Sequence, residues 1–442
     1  MPLRTDLRLR RPLPGLLRLP WDKALADWQP DEAALREMPV GPSRHLVRFV
    51  EADERMWAIK ELPERVAEQE YAVLRELEVR QLPAVKAAGL VHQPESGNAL
   101  LVTRYLDRSW QFRRLLIRLP PNRPAHRARL LDAMASLLVD LHRNGVYWGD
   151  CSLANTLFSR DGQRLQAWLV DAETSEIHPE LTPGQRAHDL DILTENVAGG
   201  MLDLAMMLDR PPEIYDELVD EAASVATRYR ELWDVLHEEP LFSFADRLEI
   251  EGRIRRLNDL GFAVDEVELV PTEGGDDRLR LKVTIAARQY HARELFSLTG
   301  LEVGEGQAQI LLSDLRAYEA TLREFAGGLH RRVSGGITQA KAVQLWTDKL
   351  LRPGMERAYE AVGRLGDPVQ AYCDLLEVRW LLSEQAGFDV GDGAALDALA
   401  SRSQPTDSAA MVVIAEEDTV EMERPTPDMI AQATGGAGQD EH

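Results

Sequence analysis

Apolar positions along the chain recur with two different periods, and the periods change at defined places. Leu130, Met134, Leu137, Leu138 and Leu141 follow a helical spacing that stops at His142-Arg143-Asn144-Gly145, basic residues in a last turn followed by glycine. Residues 156–158 and 165–170 then read as the two strands of a hairpin around Asp161-Gly162. Upstream, residues 44–50 and 56–62 alternate as another hairpin, with 51–55 as its turn. A helix over about 64–80 follows, placing Val66, Glu70, Val73, Leu74 and Leu77 on one face. Residues 99–105 read as a buried strand. Further on, a helix from about Gln185 carries Leu190, Leu193, Val197, Met201 and Leu204 on one stripe, and 212–260 is helical in pattern. Two strands, 262–270 and 279–287, are split by the polar turn 271–277. Helices then fall near 288–298, 312–330, 338–363 and 367–386, the last expected to be buried through Tyr372, Leu375, Leu376, Trp380 and Leu381.

Composition narrows the class of protein. With 442 residues, 44% hydrophobic and 28% charged, the chain has the material for two or three packed domains. Its 51 basic against 74 acidic residues give a formal charge of −23, which argues against a non-specific binder of nucleic acid or anionic membrane. A nucleotide, held locally through Mg²⁺ and a lysine, is not excluded by that balance. Two cysteines, Cys151 and Cys373, cannot make a disulfide framework or a zinc cluster and suit a reducing cytoplasm. Cys151 lies beside Asp150, either as a reactive thiol or, the simpler reading, as an ordinary free one. The Arg- and Pro-rich residues 1–30 break up every signal-peptide core, and no uncharged run is as long as a membrane span, so a soluble, cytoplasmic protein is expected. That segment is either a flexible arm or an extension lying on the first domain. From 391 the chain turns small and polar, and residues 401–442 hold nine Asp or Glu against two Arg, the composition of a disordered, solvating tail; residues 411–414 are a weaker candidate for a partner-binding segment.

Three oxygen-bearing side chains, Asp150, Asn155 and Asp171, fall on loops bracketing the central hairpin. Phosphoryl transfer from Mg-ATP needs such a set: one carboxylate to orient an acceptor hydroxyl, and an amide and a second carboxylate as hard ligands for Mg²⁺. The Asp-x4-Asn spacing is common by chance, and without its helix-loop-hairpin context it would read as turn residues satisfying their own backbone. Upstream, Glu70 is a carboxylate on an apolar stripe, where an unpaired charge is costly. It requires a cation, and Lys60 at the end of the preceding strand is the natural partner; Glu68, the fallback, points elsewhere on the helix. Asp189 and Asp191 stand near the start of a later helix, where one of them braces the loop backbone or both simply favour the helix dipole. His291 is isolated and reads as structural or exposed.

Taken with their flanking elements, these residues over about 40–210 resemble the protein-kinase-like superfamily, in its atypical bacterial branch typified by lipopolysaccharide (Kdo or heptose) kinases. The whole chain resembles an actinobacterial family of unknown function that joins such a lobe pair to an uncharacterised C-terminal region. The resemblance implies an α+β chain: an arm (1–30), an N-lobe (31–106) and a C-lobe (107–211) of a bilobal kinase-like fold, a mostly helical α+β C-terminal domain (212–390) and a disordered acidic tail (391–442). It implies that Lys60 holds ATP phosphates and Glu70 pairs with it, that Asp150 is the catalytic base, and that Asn155 and Asp171 bind Mg²⁺. Thr103 and Tyr105 would fall at the lobe hinge, whose backbone meets the adenine edge. Departures from the pattern are plain. Trp148-Gly149 stands where regulated protein kinases carry His-Arg, Ala172-Glu173 follows Asp171 in place of Phe-Gly, and no Ala-Pro-Glu segment follows; these argue against a phosphorylation-switched protein kinase. No G-x-G-x-x-G precedes the first hairpin, leaving Gly41-Pro42-Ser43 to approach the phosphates. The expected activity is ATP/Mg-dependent phosphorylation of a hydroxyl on an unidentified acceptor. The alternative is a pseudokinase or nucleotide-sensing scaffold acting on a protein partner through its C-terminal domain or tail.

Overall fold

A computed structural model describes residues 6–10, 13–38, 44–93, 95–118, 124–242, 247–271, 279–285, 288–329 and 338–411. Residues Gly41-Pro42-Ser43 and the stretch from 412 to 442 lie outside the described residues.

The first hundred residues supply β1 (Asp6–Leu9), a single turn α1 (Pro14–Leu17), β2 (Ala34–Arg36), β3 (Val47–Ala52), β4 (Arg55–Pro63), the helix α2 (Glu64–Val79), β5 (Ala87–Gln93) and β6 (Asn98–Arg104). The six strands form one antiparallel sheet in the order β1-β5-β6-β4-β3-β2. Alternation along the strands gives this sheet two apolar faces. One presents Val50, Trp57, Ile59, Val91, Leu100 and Val102, covered by Leu16, Leu19, Trp21, Leu25 and Trp28 of the N-terminal segment. That segment is therefore an extension lying on the sheet, which explains why it combines arginines with buried tryptophans. The other face carries Leu62, Ala99 and Leu101 and takes the apolar stripe of α2, including Ala67, Leu74 and Leu77. Strands β1, β2 and β5 are not legible in the sequence pattern, being short or nearly uniform in polarity.

The second part contains β7 (Ser109–Gln111), α3 (Phe112–Arg118), α4 (Pro124–Arg143), β8 (Val146–Tyr147), β9 (Thr156–Asp161), β10 (Arg164–Leu169), β11 (Glu176–Ile177), α5 (Pro183–Met207) and α6 (Tyr215–His237). The expected hairpin is β9–β10, extended by β7 into a three-stranded sheet. Helix α5 starts with a capping box in which Thr182 accepts from the Gln185 amide and the Gln185 side chain returns to the Thr182 amide. A break was expected after 211, yet α6 belongs with α4 and α5: its Ala222, Val225 and Tyr229 share the core of Leu137, Leu141, Leu193 and Val197. The apolar faces of α4 and α5 need that third helix, and Leu257 and Phe262 from further along the chain join the same core.

Beyond it lie β12 (Leu241–Phe242), α7 (Arg247–Asp259), β13 (Val264–Pro271), β14 (Leu279–Ile285), α8 (Tyr290–Thr299), α9 (Glu305–Leu329), α10 (Gln339–Trp346), α11 (Arg352–Ala361), α12 (Pro368–Ala386) and α13 (Gly391–Ala400). The helix expected over 338–363 is divided by a π-helical segment at Thr347–Leu351 ahead of Pro353. A second core gathers Leu295, Leu311, Leu315, Trp346, Leu351, Leu375 and Val378. Helix α12 is buried as expected at Tyr372 and Leu375, but Trp380 points outward and is 61% exposed. The first residues of the tail expected from 391 are packed. Residues 391–400 form α13, and Glu377 holds the Ser408 hydroxyl at 2.8 Å and the Ala409 amide at 3.0 Å, while His126 Nε2 meets the Thr406 carbonyl at 2.8 Å. No helix among the described residues is long and apolar enough to cross a membrane. The architecture is α+β: a kinase-like, sheet-bearing N-terminal domain followed by a mostly helical C-terminal region.

Candidate active site

Strand β4 delivers Lys60 and α2 delivers Glu70, on the sheet face turned toward the second part of the domain. Glu70 is 1% exposed, and its Oε2 lies 3.2 Å from Lys60 Nζ while its Oε1 accepts the Ala172 amide at 3.3 Å. Glu68 is exposed on the outer side of α2, so the choice between the two glutamates is decided by burial. Asp171, just past β10, brings Oδ2 to 2.5 Å from Lys60 Nζ. The cluster has a third acid that the sequence reading left out: Glu173, whose Oε2 lies 3.5 Å from Lys60 Nζ and 3.2 Å from His45 Nε2. Its signal was the Ala-Glu that replaces Phe-Gly after Asp171.

Three carboxylates thus face one ammonium. Burial works to lower the Lys60 pKa, but Glu70, Asp171 and Glu173 outweigh it and hold the ammonium above its ordinary value. Burial, reinforced by the Asp171 charge, pushes Glu70 up to about 7 although Lys60 pulls the other way. The two directions agree on one point: negative charge is in surplus here. Glu70, Asp171 and Glu173 bring carboxylate oxygens close enough together to share a cation, and an all-oxygen set suits a hard divalent ion.

Asp150 and Asn155 sit on the loop between β8 and β9. Asn155 Nδ2 donates to Asp150 Oδ2 at 3.1 Å, which leaves the Asn155 side-chain carbonyl as a hard donor. The Asn155 backbone carbonyl accepts from the Val170 amide at 3.0 Å, and Thr156 pairs with Leu169, so Asn155 and Asp171 flank the same open end of the β9–β10 hairpin. Between Asp189 and Asp191, it is Asp189 that braces the loop. Its fully buried carboxylate accepts from the Trp148 amide at 2.7 Å, the Gly149 amide at 2.9 Å and His142 Nε2 at 3.1 Å, while Asp191 is exposed. Gly149 has φ +81°, and a Cβ there would come 2.8 Å from the Thr174 carbonyl, which accounts for glycine in the Trp-Gly pair. Cys151 is fully buried and burial raises its thiol pKa well above the ordinary value, so it is an inert core thiol. His291 is buried against Glu305 at 2.6 Å, a structural contact.

Thr103 and Tyr105, the two residues expected at the lobe hinge, lie in the last residues of β6 and just past it. Thr103 lies within β6 opposite Ala58, and the Tyr105 amide is already donated to the Met56 carbonyl at 3.1 Å. Val47 pairs with Lys60, Phe49 with Ala58, and Ala58 with Thr103, so all lie on the Lys60 face and all are half-buried. The Tyr105 ring meets Phe49 edge-on at 5.6 Å. Together they make an apolar floor beside the charged cluster. A cavity of about 930 Å³ lies elsewhere, between the β9–β10 hairpin and the C-terminal helices, lined among others by Lys86, Trp110, Arg160, Asp161, Gln370 and Asp374; it touches none of Lys60, Asp150 or Asp171.

Two families match this chain. Residues 50–206 match the lipopolysaccharide kinase (Kdo/WaaP) family, and residues 231–402 match a domain of unknown function (DUF4032). Among solved structures, one described as WaaP in complex with acyl carrier protein aligns at 20% identity with a TM-score of 0.31, covering 45% of this chain and 90% of that one. No curated protein matches the chain.

Proposed function

We propose that this chain, in which a lipopolysaccharide kinase (Kdo/WaaP) family domain is joined to a DUF4032 domain, is an ATP- and Mg²⁺-dependent phosphotransferase acting on a hydroxyl group. The observation that carries the reading is the convergence of Lys60, Glu70 and Asp171 beside the Asp150–Asn155 pair. In this reading Glu70 fixes Lys60 on the nucleotide phosphates, and Asp171 with Asn155 holds the metal. Asp150, steadied by Asn155, orients the acceptor hydroxyl and receives its proton. The half-buried floor of Val47, Phe49, Ala58 and Thr103 takes the base. Mg²⁺ would supply charge for the transferring phosphoryl group, and the chain's own work is positioning.

A second reading, a nucleotide-sensing module without turnover, is favoured by the absence of a glycine-rich G-x-G-x-x-G ahead of β3. Thermal unfolding with ATP and Mg²⁺ tests the first part. At about 100 times its dissociation constant a ligand stabilises the native state by roughly 2.7 kcal/mol. Wild type is expected to show a Mg²⁺-dependent rise in melting midpoint that Asp171→Ala loses; a variant that keeps the rise refutes Asp171 as metal ligand. Transfer of labelled phosphate to a cellular acceptor, lost in Asp150→Ala, separates the enzyme from the sensor.

A further inference from the structure

The β9–β10 hairpin is held at both ends. Its base carries Asn155 and Asp171; its tip, Arg160 to Gly162, is seated in the C-terminal domain. Asp161 caps the first turn of α9, its Oδ2 accepting the Gly306 amide at 2.8 Å and its Oδ1 the Gln307 amide at 2.9 Å. Gln370 on α12 accepts the Gly162 amide at 2.9 Å and donates to the Gly162 carbonyl at 2.9 Å, a two-bond pairing of strand type made by one side chain. Arg160 meets Asp374 in a fork, at 2.8 and 2.5 Å, with both side chains 4% exposed. The approach is close enough that glycine is needed: a Cβ on Gly162 would lie 2.7 Å from Ile310 Cδ1, and one on Gly304 or Gly306 would strike Asp161.

This is far more than a covering contact requires. A two-stranded hairpin has little rigidity of its own; among the described residues β9–β10 gains the three residues of β7 as a further strand and a single bridge from Leu169 to residues 83–85, and neither reaches its tip. Two prospective metal ligands at its open end need a fixed separation, because Mg²⁺ demands near-ideal geometry. We infer that the C-terminal domain positions the metal-binding end of this hairpin, with Asp161 and Gln370 as positioning residues acting through the hairpin and touching no reacting atom. The inference rests on the phosphotransferase reading of the same site and gives the DUF4032 domain a role in it.

The test uses the full chain in four variants: Asp161→Ala, Asp161→Asn, Gln370→Ala, and Trp346→Phe. The last removes a 2.7 Å hydrogen bond to Asp314 inside the same domain, away from the hairpin, and controls for destabilisation alone. Two readouts are taken: the Mg²⁺ concentration giving half of the ATP-dependent rise in melting midpoint, and hydrogen exchange of amides 155–171. Asp161→Ala and Gln370→Ala are expected to raise the half-effect Mg²⁺ concentration about tenfold, the scale of losses when groups behind a metal ligand are removed. They should also speed exchange across the hairpin about tenfold. Asp161→Asn, which keeps one of the two accepting oxygens, is expected to restore both in part, and Trp346→Phe to leave both at wild type. Unchanged Mg²⁺ dependence in folded Asp161→Ala and Gln370→Ala overturns the inference, as does an equal change in Trp346→Phe. Unchanged hairpin exchange overturns it whatever the nucleotide does. Should Asp161→Ala not fold, Gln370→Ala carries the same decision. A wild type with no Mg²⁺–ATP response at all strikes the phosphotransferase reading instead.

Discussion

The carboxylate of Asp189, sealed from solvent, receives the amides of Trp148 and Gly149 and the ring of His142, so three donors converge on one group. His142 in turn meets the Tyr229 hydroxyl at 2.7 Å through Nδ1, tying α6 to the loop that carries Asp150. Asp189→Ala would strand two buried amides, and we expect a loss of roughly 2–4 kcal/mol in denaturant unfolding, with the far smaller change for Asp191→Ala as the comparison. Burial pushes the His142 pKa below its ordinary 6.5, against the pull of Asp189. The sign follows from proton counting. Between the ordinary value and the lower folded one, the unfolded chain binds the extra proton, so stability is present above 6.5 and falls as pH drops through that window. His237, also pushed down by burial, acts in the same direction. Unfolding free energies measured across the window should therefore show a shallower pH slope in His142→Gln than in wild type; an identical slope would show that His142 is not the titrating group. Selecting Asp189 over Asp191 was beyond the sequence, since both are helix-start acids and only packing against α4 and α6 decides which is buried.

At the scale of elements, the β3–β4 hairpin shows how local strain and docking are combined. Its turn is only Asp53-Glu54, both left-handed at φ 53° and 58°, shorter than the five-residue turn the alternation suggests. The two residues do different things. Asp53 accepts the Gly15 amide at 2.8 Å and the Leu16 amide at 3.3 Å, fastening α1 to the hairpin, whereas Glu54 is exposed at the tip of the turn. Opposite effects are expected at adjacent positions. Glu54→Gly relieves a left-handed side chain and should stabilise by about 0.5–1 kcal/mol, less the entropy glycine adds to the unfolded chain, while Asp53→Ala should destabilise by about 1–2 kcal/mol, both read from chemical denaturation. A loss in both variants would show that the turn conformation is not the source of strain. The other hairpin, β9–β10, was legible in sequence because its strands alternate and Asp161-Gly162 marks its tip. Its burial against α9 and α12 was not, because Gln307, Gln370 and Asp374 lie between about 145 and 215 residues further along the chain.

For the molecule as a whole, the N-terminal extension and α6 extend the kinase-like domain beyond its recognisable centre. Removing residues 1–30 would uncover a sheet face whose Val50, Ile59, Val91, Leu100 and Val102 are fully buried. Each large apolar side chain of the extension contributes about 1.5–3 kcal/mol by burial, so the truncated chain should melt lower and bind the dye ANS; a wild-type melting midpoint would refute a structural role for the extension. A local excess of acid stands at the site, where Glu70, Asp171 and Glu173 surround Lys60, within a chain whose formal charge is −23.

Sequence alone determined the elements whose apolar period is strong, the position of the hairpin, and a set of polar residues expected to work together: Lys60, Glu70, Asp150, Asn155 and Asp171. Those follow from local spacing, since a period of two or 3.6 fixes which side chains share a face. Tertiary structure decided what each face meets. It placed Glu173 and His45 beside Lys60, took Asp189 as the brace, put Thr103 on the Lys60 face of the sheet, and joined α6 to the first core. It also turned Trp380 outward and seated the hairpin tip in the C-terminal domain. The reason is physical: periodicity records that a surface must be buried, but many partners satisfy that requirement equally well, and only the closed packing of distant segments selects one.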